Sequence, residues 1–364
     1  MSARVCFVVG ARPNFMKSAP VYRELAALDP SLELLLLHTG QHYDDAMSDV
    51  FFRELGMPRP DEFLAVGSGS HAEQTAKVLV GVERVLLEHE IDLCVVAGDV
   101  NSTIAAALAA VKLGIPIAHI EAGLRSFDRA MPEEHNRVLT DHLSDILLAH
   151  SEEAITNLQR EGISTGVHLV GNTMIDTLFE HLDKARERQS WEQFGLHAGE
   201  YALVTLHRPA LVDDPAKLTA VTDGLITLAR DHPILFPVHP RTLRNLESTG
   251  DDARLRDSGV LATEPQGYLD FLCLEADAAF VLTDSGGIQE ETTALGVRCF
   301  TLRDSTERRV TEELGTNTVL GAKPERIAEI PQLLERPKPG EVVPGWDGHA
   351  GARAAETLRA FLSG

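Results

Sequence analysis

Short apolar runs rich in Val, Ile and Leu alternate along this chain with longer amphipathic stretches, the pattern of buried parallel strands joined by helices. The first half carries VCFVVG, LELLLLHTG, IDLCVVAGD, IPIAHIEAG, DILLAHS and VHLVGN; a second series follows in YALVTLH, PILFPVH, AAFVLTD and VRCFTLR. Between the third and fourth runs lies STIAAALAAVKLG, whose Ser/Thr start and Gly end punctuate a helix. The stretch from Thr173 to Gly199 is charged and helical in pattern, and it carries the chain from one α/β series to the next.

The expected fold class is therefore α/β, with two Rossmann-like domains built on parallel sheets. The boundaries fall at 1–172 and 173–350. ERPKPGEVVPG concentrates Pro and Gly as a loop does, and the helical stretch at 351–364 is assigned to the first domain. A length of 364 residues suits two to three domains of about 150 residues each. No repeat or low-complexity tract points elsewhere.

Composition narrows the function. Hydrophobic residues at 44% and charged residues at 24% describe a globular chain with ample core. The 33 Lys plus Arg against 55 Asp plus Glu leave a net charge of −22, which repels nucleic acid and anionic lipid, so neither a polynucleotide nor a membrane is an expected partner. An anion that binds here is held by local groups acting against the global field. Cys6, Cys94, Cys273 and Cys299 each sit in an apolar run without metal spacing and read as reduced core thiols. The apolar stretch Val5 to Val9 is too short for a signal-peptide core, and the expected location is the cytoplasm.

Ligands of open α/β sheets bind beyond the carboxyl ends of the strands, and here those ends are polar. Arg12, Asp99, Glu121, His207, His239 and Asp284 each follow an apolar run. Strand ends are exposed and take such residues freely, so each alone is ambiguous; six together point to a site. In AAFVLTDSGGIQEETTALG a strand passes through a tight turn into a helix. Gly286 and Gly287 let an anion approach the free amides of the helix start, and Ser285 adds a hydroxyl. Glu291 lies about one turn, roughly 6 Å, farther along the same face, within reach of a ribose diol. A nucleoside diphosphate fits both ends of this motif. A plain strand-to-helix turn with a solvated Glu291 accounts for the same letters.

Arg12 and Lys17 of GARPNFMK form a second anion candidate, able together to offset a diphosphate. No GxGxxG follows the first strand and no GxxxxGK[ST] occurs, so neither a dinucleotide fold nor a P-loop is supported. GSGSHAEQ reads as a flexible entry to a helix. HIEAGLRSFDRAMPEEHNRVLTDH is dense in charge: Glu121, Glu133, Glu134 and Arg137 suit an acid-base site, while Glu133 and Arg137 at i, i+4 equally suit a surface ion pair. His38 and His42 have the spacing of a helical zinc pair, but Thr-Gly-Gln between them breaks any helix, and no metal is expected.

Taken in order, GARPNFMKSAP, TGQHYD, GDVNST, HIEAGLRSFDRAMPEEHNR, GNTMID, TLHRP, PVHPRT, PQGYLDF, LTDSGGIQEE and RDSTER resemble the non-hydrolysing UDP-N-acetylglucosamine 2-epimerases from about residue 8 to residue 310. The resemblance implies a glycosyltransferase-B-type fold, with UDP held mostly by the second domain and the sugar in the cleft between domains. It implies a homodimer, no dissociable cofactor, and interconversion of UDP-N-acetylglucosamine and UDP-N-acetylmannosamine through elimination of UDP to a 2-acetamidoglucal. By the same resemblance Asp99, Glu121 and Glu133 surround the sugar and His207 attends the leaving group. Arg12, Lys17, Ser285, Gly286 and Gly287 serve the phosphates, Glu291 the ribose and Phe271 the uracil, with Arg137 and Arg308 as further site cations.

Relatives usually continue the His-Arg pair into Glu-Asn, whereas this chain reads His207-Arg208-Pro209-Ala210-Leu211. Two apolar side chains thus replace polar groups beside the expected cleft, which predicts weak substrate activation unless Gln41, His42 or His239 rebuild a second site. A glycosyltransferase of the same fold and a non-catalytic UDP-sugar sensor are the competing functions.

Overall fold

The protein is described by a computed structural model that covers residues 2–40, 58–337, 340 and 342–364, the Arg12 side chain excepted. It divides into two compact units, Met1–Thr177 with Pro344–Gly364, and Leu178–Val343. Each unit is built on one wholly parallel sheet.

In the first unit the strands are β1 (Arg4–Val9), β2 (Glu33–His38), β3 (Glu62–Phe63), β4 (Leu93–Ala97), β5 (Ile117–Ala122), β6 (Ile146–Ala149) and β7 (Val167–Leu169). Their order is β3-β2-β1-β4-β5-β6-β7. The chain runs outward from β1 to β3, then returns to β4 and runs the other way, so the strand order reverses between β1 and β4. Loops leaving those two strands part to opposite faces and open a crevice at their carboxyl ends. Registers such as Cys6↔Cys94 and Val8↔Val96 pair apolar residues buried on both faces, which is why these strands read as continuous hydrophobic runs.

The second unit repeats the scheme with β8 (Ala202–Thr205), β9 (Ile234–Pro237), β10 (Leu261–Thr263), β11 (Phe280–Thr283), β12 (Arg298–Thr301) and β13 (Asn317–Val319), ordered β10-β9-β8-β11-β12-β13. Its reversal lies between β8 and β11, paired from Ala202↔Phe280 to Thr205↔Thr283. The fold class read from the sequence holds for both units.

Helix Asn101–Leu113 ends at Gly114 in the left-handed conformation, as its last letter predicts. Its start differs. The cap is Val100, and Thr103 Oγ1 instead donates to Ala97 O at 2.8 Å while Ser102 meets Thr39 across 2.7 Å, so these hydroxyls pin the helix to the ends of β4 and β2. Ser70, next to the glycines of GSGSHAEQ, caps helix His71–Glu88 in a reciprocal box with Glu73.

Helix Arg12–Leu28 contains Pro20, which cannot donate to the carbonyl of Met16. Thr177 Oγ1 donates to that oxygen at 2.8 Å in its place. Helix Ala350–Leu362 packs on the same helix, and its first amides, Ala350 N–H and Gly351 N–H, donate to Asp176 at 3.1 and 2.6 Å. All four cysteines are buried and free. Among the described residues no helix is long and apolar enough to cross a membrane.

Candidate active site

In the first unit the polar groups gather where the strand order reverses. Asn14 follows β1 and locks the turn: its Oδ1 accepts Ala11 N–H at 3.0 Å and its Nδ2 donates to Ala97 O at 2.7 Å, tying the end of β1 to the end of β4. Next comes Gly98 at φ +65, where an added Cβ would stand 3.0 Å from Lys17 Nζ. Both the backbone conformation and the close lysine demand glycine there.

Glu121, at the end of β5, has φ +70, and the pairing of β5 with β6 slips between Ile120 and Ala122. A left-handed conformation costs a non-glycine residue about 1–2 kcal/mol. The bulge carries the carboxylate to Lys17, and the two side chains form an ion pair in which each is 6% exposed. Lys17 is therefore held by a carboxylate, and the helix Arg12–Leu28 presents a buried pair rather than a lysine in solvent.

Asp99, at the end of neighbouring β4, pairs with the buried Arg137, whose other arm lies 2.7 Å from Glu134. Glu134 also accepts from Ser126 N–H and Oγ at 2.9 Å each and from Phe127 N–H at 2.8 Å. The pairs described for Arg137 thus run to Asp99 and to Glu134 at i, i+3, in place of the simple surface pair with Glu133. Glu133 is half-buried on the same first turn. Beneath these groups the fully buried His119 bridges Asp141 Oδ1 at 2.7 Å and Gly98 O at 2.8 Å. Burial pushes the Asp141 carboxyl up, but His119 and Arg125 together hold it below the usual range.

In the second unit the corresponding position is organised by Asp284, fully buried after β11. Its carboxylate accepts His207 N–H at 2.9 Å and Arg208 N–H at 2.8 Å and lies 3.2 Å from His207 Nδ1. The half-exposed His207 ring is thereby fixed with Nε2 as its other polar position. His239, read as part of a second site, caps helix Pro240–Thr249 by accepting Arg241 N–H at 3.2 Å, and its ring centre lies 5.9 Å from that of His207.

Helix Gly286–Leu295 begins two residues after Asp284, with half-buried Ser285 as cap and Gly286 and Gly287 as its first residues. A Cβ on Gly286 would meet Arg308 Nη1 at 2.7 Å and Glu307 Oε1 at 2.9 Å, so glycine makes room for a guanidinium. Arg308 pairs with Glu307 and with Glu290, whose Oε2 is 3.1 Å from Nε. Glu307 also holds Arg303 at 2.7 Å. Burial, and next the nearby Arg303, hold the Arg208 guanidinium below its ordinary value.

Glu291 is 7% exposed rather than solvated, and its charge acts on the fully buried Glu275 of helix Tyr268–Ala276. Burial, reinforced by Glu291, raises the Glu275 carboxyl well above the usual range. Because the native state then binds a proton that the unfolded chain releases, the contribution to stability is complete below the ordinary glutamate pKa and declines as pH rises. Glu275→Gln keeps a donor without a titration; its melting temperature relative to the parent is expected to climb steadily from pH 4.5 to pH 8.5. A difference that stays flat with pH would show that Glu275 titrates normally. Phe271, half-buried, packs against the apolar cluster of Leu274 and Ile288.

One expectation changes. Leu211 is 2% exposed within the core of the second unit, so its side chain offers nothing to a ligand; Ala210 alone of that pair is exposed. Gln41 and His42 lie outside the described residues, and so does the Arg12 side chain. His38 accepts Gly40 N–H at 2.7 Å through Nδ1, with burial pushing it down to about 4, and among the described residues no cluster suits a metal. Sequence reasoning passed over Glu275, Glu290, Arg303 and Glu307, although the charged run of RDSTERR directly after a strand was the available signal for the last two.

The family profile described as UDP-N-acetylglucosamine 2-epimerase matches residues 25–359. A UDP-N-acetylglucosamine 2-epimerase of Methanocaldococcus jannaschii is 41% identical over 362 residues, covering 98% of each chain. A UDP-2,3-diacetamido-2,3-dideoxy-D-glucuronate 2-epimerase of Pseudomonas aeruginosa is 39% identical over 90% of each. The crystal structure of the M. jannaschii UDP-GlcNAc 2-epimerase in complex with UDP-GlcNAc and UDP superposes with a TM-score of 0.89 at 41% identity, over 99% of this chain and 100% of that one.

Proposed function

The chain belongs to the UDP-N-acetylglucosamine 2-epimerase family, which makes it an isomerase, and on that premise we propose that it interconverts UDP-N-acetylglucosamine and UDP-N-acetylmannosamine by eliminating and re-adding UDP. The observation that carries this reading is the pair of carboxylates Asp99 and Glu121, at the ends of adjacent strands and each neutralised by a cation that is itself buried, Arg137 and Lys17. Two differently held acid-base groups are what an inversion at carbon needs, one to remove a proton and another to return it to the opposite face.

The C2 hydrogen of the sugar has no adjacent ketone to acidify it. Its removal is therefore coupled to departure of UDP from C1: the C2–H electron pair becomes the C1=C2 double bond of a 2-acetamidoglucal, and the C1–O bonding pair leaves with the diphosphate. The second unit meets that growing charge with the amides of Gly286 and Gly287, Ser285, Arg308 and the ring of His207. Re-addition of UDP to C1, with a proton placed at C2 from the other side, completes the inversion. Glu133, half-buried beside Glu134, is a third proton-transfer candidate in this scheme, Glu291 is assigned to the ribose and Phe271 to the uracil. No cofactor takes part, and the enzyme works as a cytoplasmic homodimer.

Incubation with UDP-N-acetylglucosamine alone in deuterium oxide tests the scheme. The epimer is expected to appear with deuterium at C2, followed by NMR of the sugar. Epimer that keeps all of its original hydrogen over many turnovers rules out elimination, and no epimer at all favours a transferase or a sensor.

A further inference from the structure

Most of the buried charge in the second unit is accounted for by pairs: Asp284 holds the turn after β8, and Glu290 and Glu307 hold Arg308. Arg303 is paired on one side only. It follows β12, is 7% exposed, and gives its Nη2 to Glu307 at 2.7 Å, but its buried Nη1 has no hydrogen-bond partner among the described residues. A guanidinium presents five N–H donors in a rigid fork, and burying one of them unpaired is costly enough that native proteins seldom do it without a use.

The position of that orphan is informative. Glu307 bridges Arg303 to Arg308, and Glu307 Oε1 and Arg308 Nη1 both lie within 3 Å of where a Cβ on Gly286 would be. Arg303 is also the charge that most depresses Arg208, after burial itself. Three guanidinium groups, Arg208, Arg303 and Arg308, therefore converge on the N-terminus of the ten-residue helix Gly286–Leu295, whose first amides are free to donate. Like charges crowded in this way are relieved by a multivalent anion with tetrahedral oxygens, the geometry a guanidinium fork matches.

We propose that Arg303 is a further ligand of the diphosphate, donating through Nη1 to a phosphoryl oxygen when the nucleotide binds; this rests on the reading that the second unit holds UDP. The pair with Glu307 fixes the plane of the fork, so that the remaining edge faces the anion already oriented. Because negative charge on the diphosphate increases as the C1–O bond breaks, a donor placed there also lowers the barrier to elimination.

Arg303→Gln and Arg303→Lys separate this role from a structural one when UDP, inorganic pyrophosphate and uridine are compared by calorimetry and, for weak binding, by ligand-observed NMR. Loss of a charged hydrogen bond is expected to raise the Kd for UDP and for pyrophosphate by roughly ten- to a hundred-fold in Arg303→Gln, while leaving that for uridine unchanged. Arg303→Lys recovers part of the loss. Equal weakening of uridine and UDP, or UDP affinity unchanged in Arg303→Gln, overturns the assignment to phosphate. Failure of the parent enzyme itself to bind UDP would instead remove the nucleotide reading on which it stands.

Discussion

Asp99→Asn and Glu121→Gln are each expected to lower turnover by about two to four orders of magnitude while UDP binds nearly as tightly as to the parent enzyme. Both substitutions keep the shape of the side chain and a hydrogen-bonding oxygen, so Arg137 and Lys17 retain a neighbour. What is lost is the ability to take up or release a proton. The groups proposed to hold the nucleotide, Gly286, Gly287, Ser285 and Arg308, belong to the other unit and are untouched. Steady-state epimerisation and calorimetry with UDP provide the two readouts. If UDP affinity collapses while the residual turnover stays normal, these carboxylates belong to the nucleotide and not to the sugar.

The second large effect is on stability. Lys17→Met leaves the Glu121 carboxylate buried without its partner, and removing one member of a buried pair typically costs about 3–5 kcal/mol. Turnover is expected to fall as well, since the carboxylate held at the strained end of β5 loses the charge that fixes it. Adding Glu121→Gln to Lys17→Met removes the uncompensated charge, so the double variant should unfold at a higher urea concentration than Lys17→Met alone. Such recovery of stability without recovery of turnover is the signature of a pair that serves catalysis. Simple additivity of the two losses would mean that Lys17 and Glu121 do not interact energetically.

The alternation of apolar runs was enough to find β1, β2, β4, β5, β6 and β7 of the first sheet and β8, β9, β11 and β12 of the second. Those strands, apart from the outlying β7, lie mainly inside their sheets and must be hydrophobic along their length. Strands β3, β10 and β13 escaped notice because they are two or three residues long at or near the sheet edges, too short and too exposed for a period to register. The polar strand ends were legible for a similar reason, since a charge set just after a buried run stands out.

Partners were not legible. Lys17 and Glu121 are separated by 104 residues, and only the bulge at Ile120/Ala122 brings them together. Arg137 shows a subtler limit: Glu133 at i−4 and Glu134 at i−3 are both reachable on a helix, and it is the loop amides of Ser126 and Phe127 that fix Glu134 for the pair. Leu211 was misplaced because a four-residue helix, Pro209–Val212, turns one of two adjacent side chains inward, and no pattern that short carries a phase.

The second unit is an insertion: the chain leaves the first unit after Thr177 and returns to it at Pro344. A ribosome delivers these segments in order, at about 5–20 residues per second, so the first unit waits roughly ten to thirty seconds while the second is made before Ala350–Leu362 exists to pack on helix Arg12–Leu28. The first unit is begun first and finished last. During that interval the substitute donor for the Pro20 gap is already present, because Thr177 is the last residue before the insertion, whereas the amides that satisfy Asp176 are not. The nascent chain thus carries a buried-to-be carboxylate and an uncovered helix face until the final segment emerges, and this is the stage at which a chaperone has most to protect.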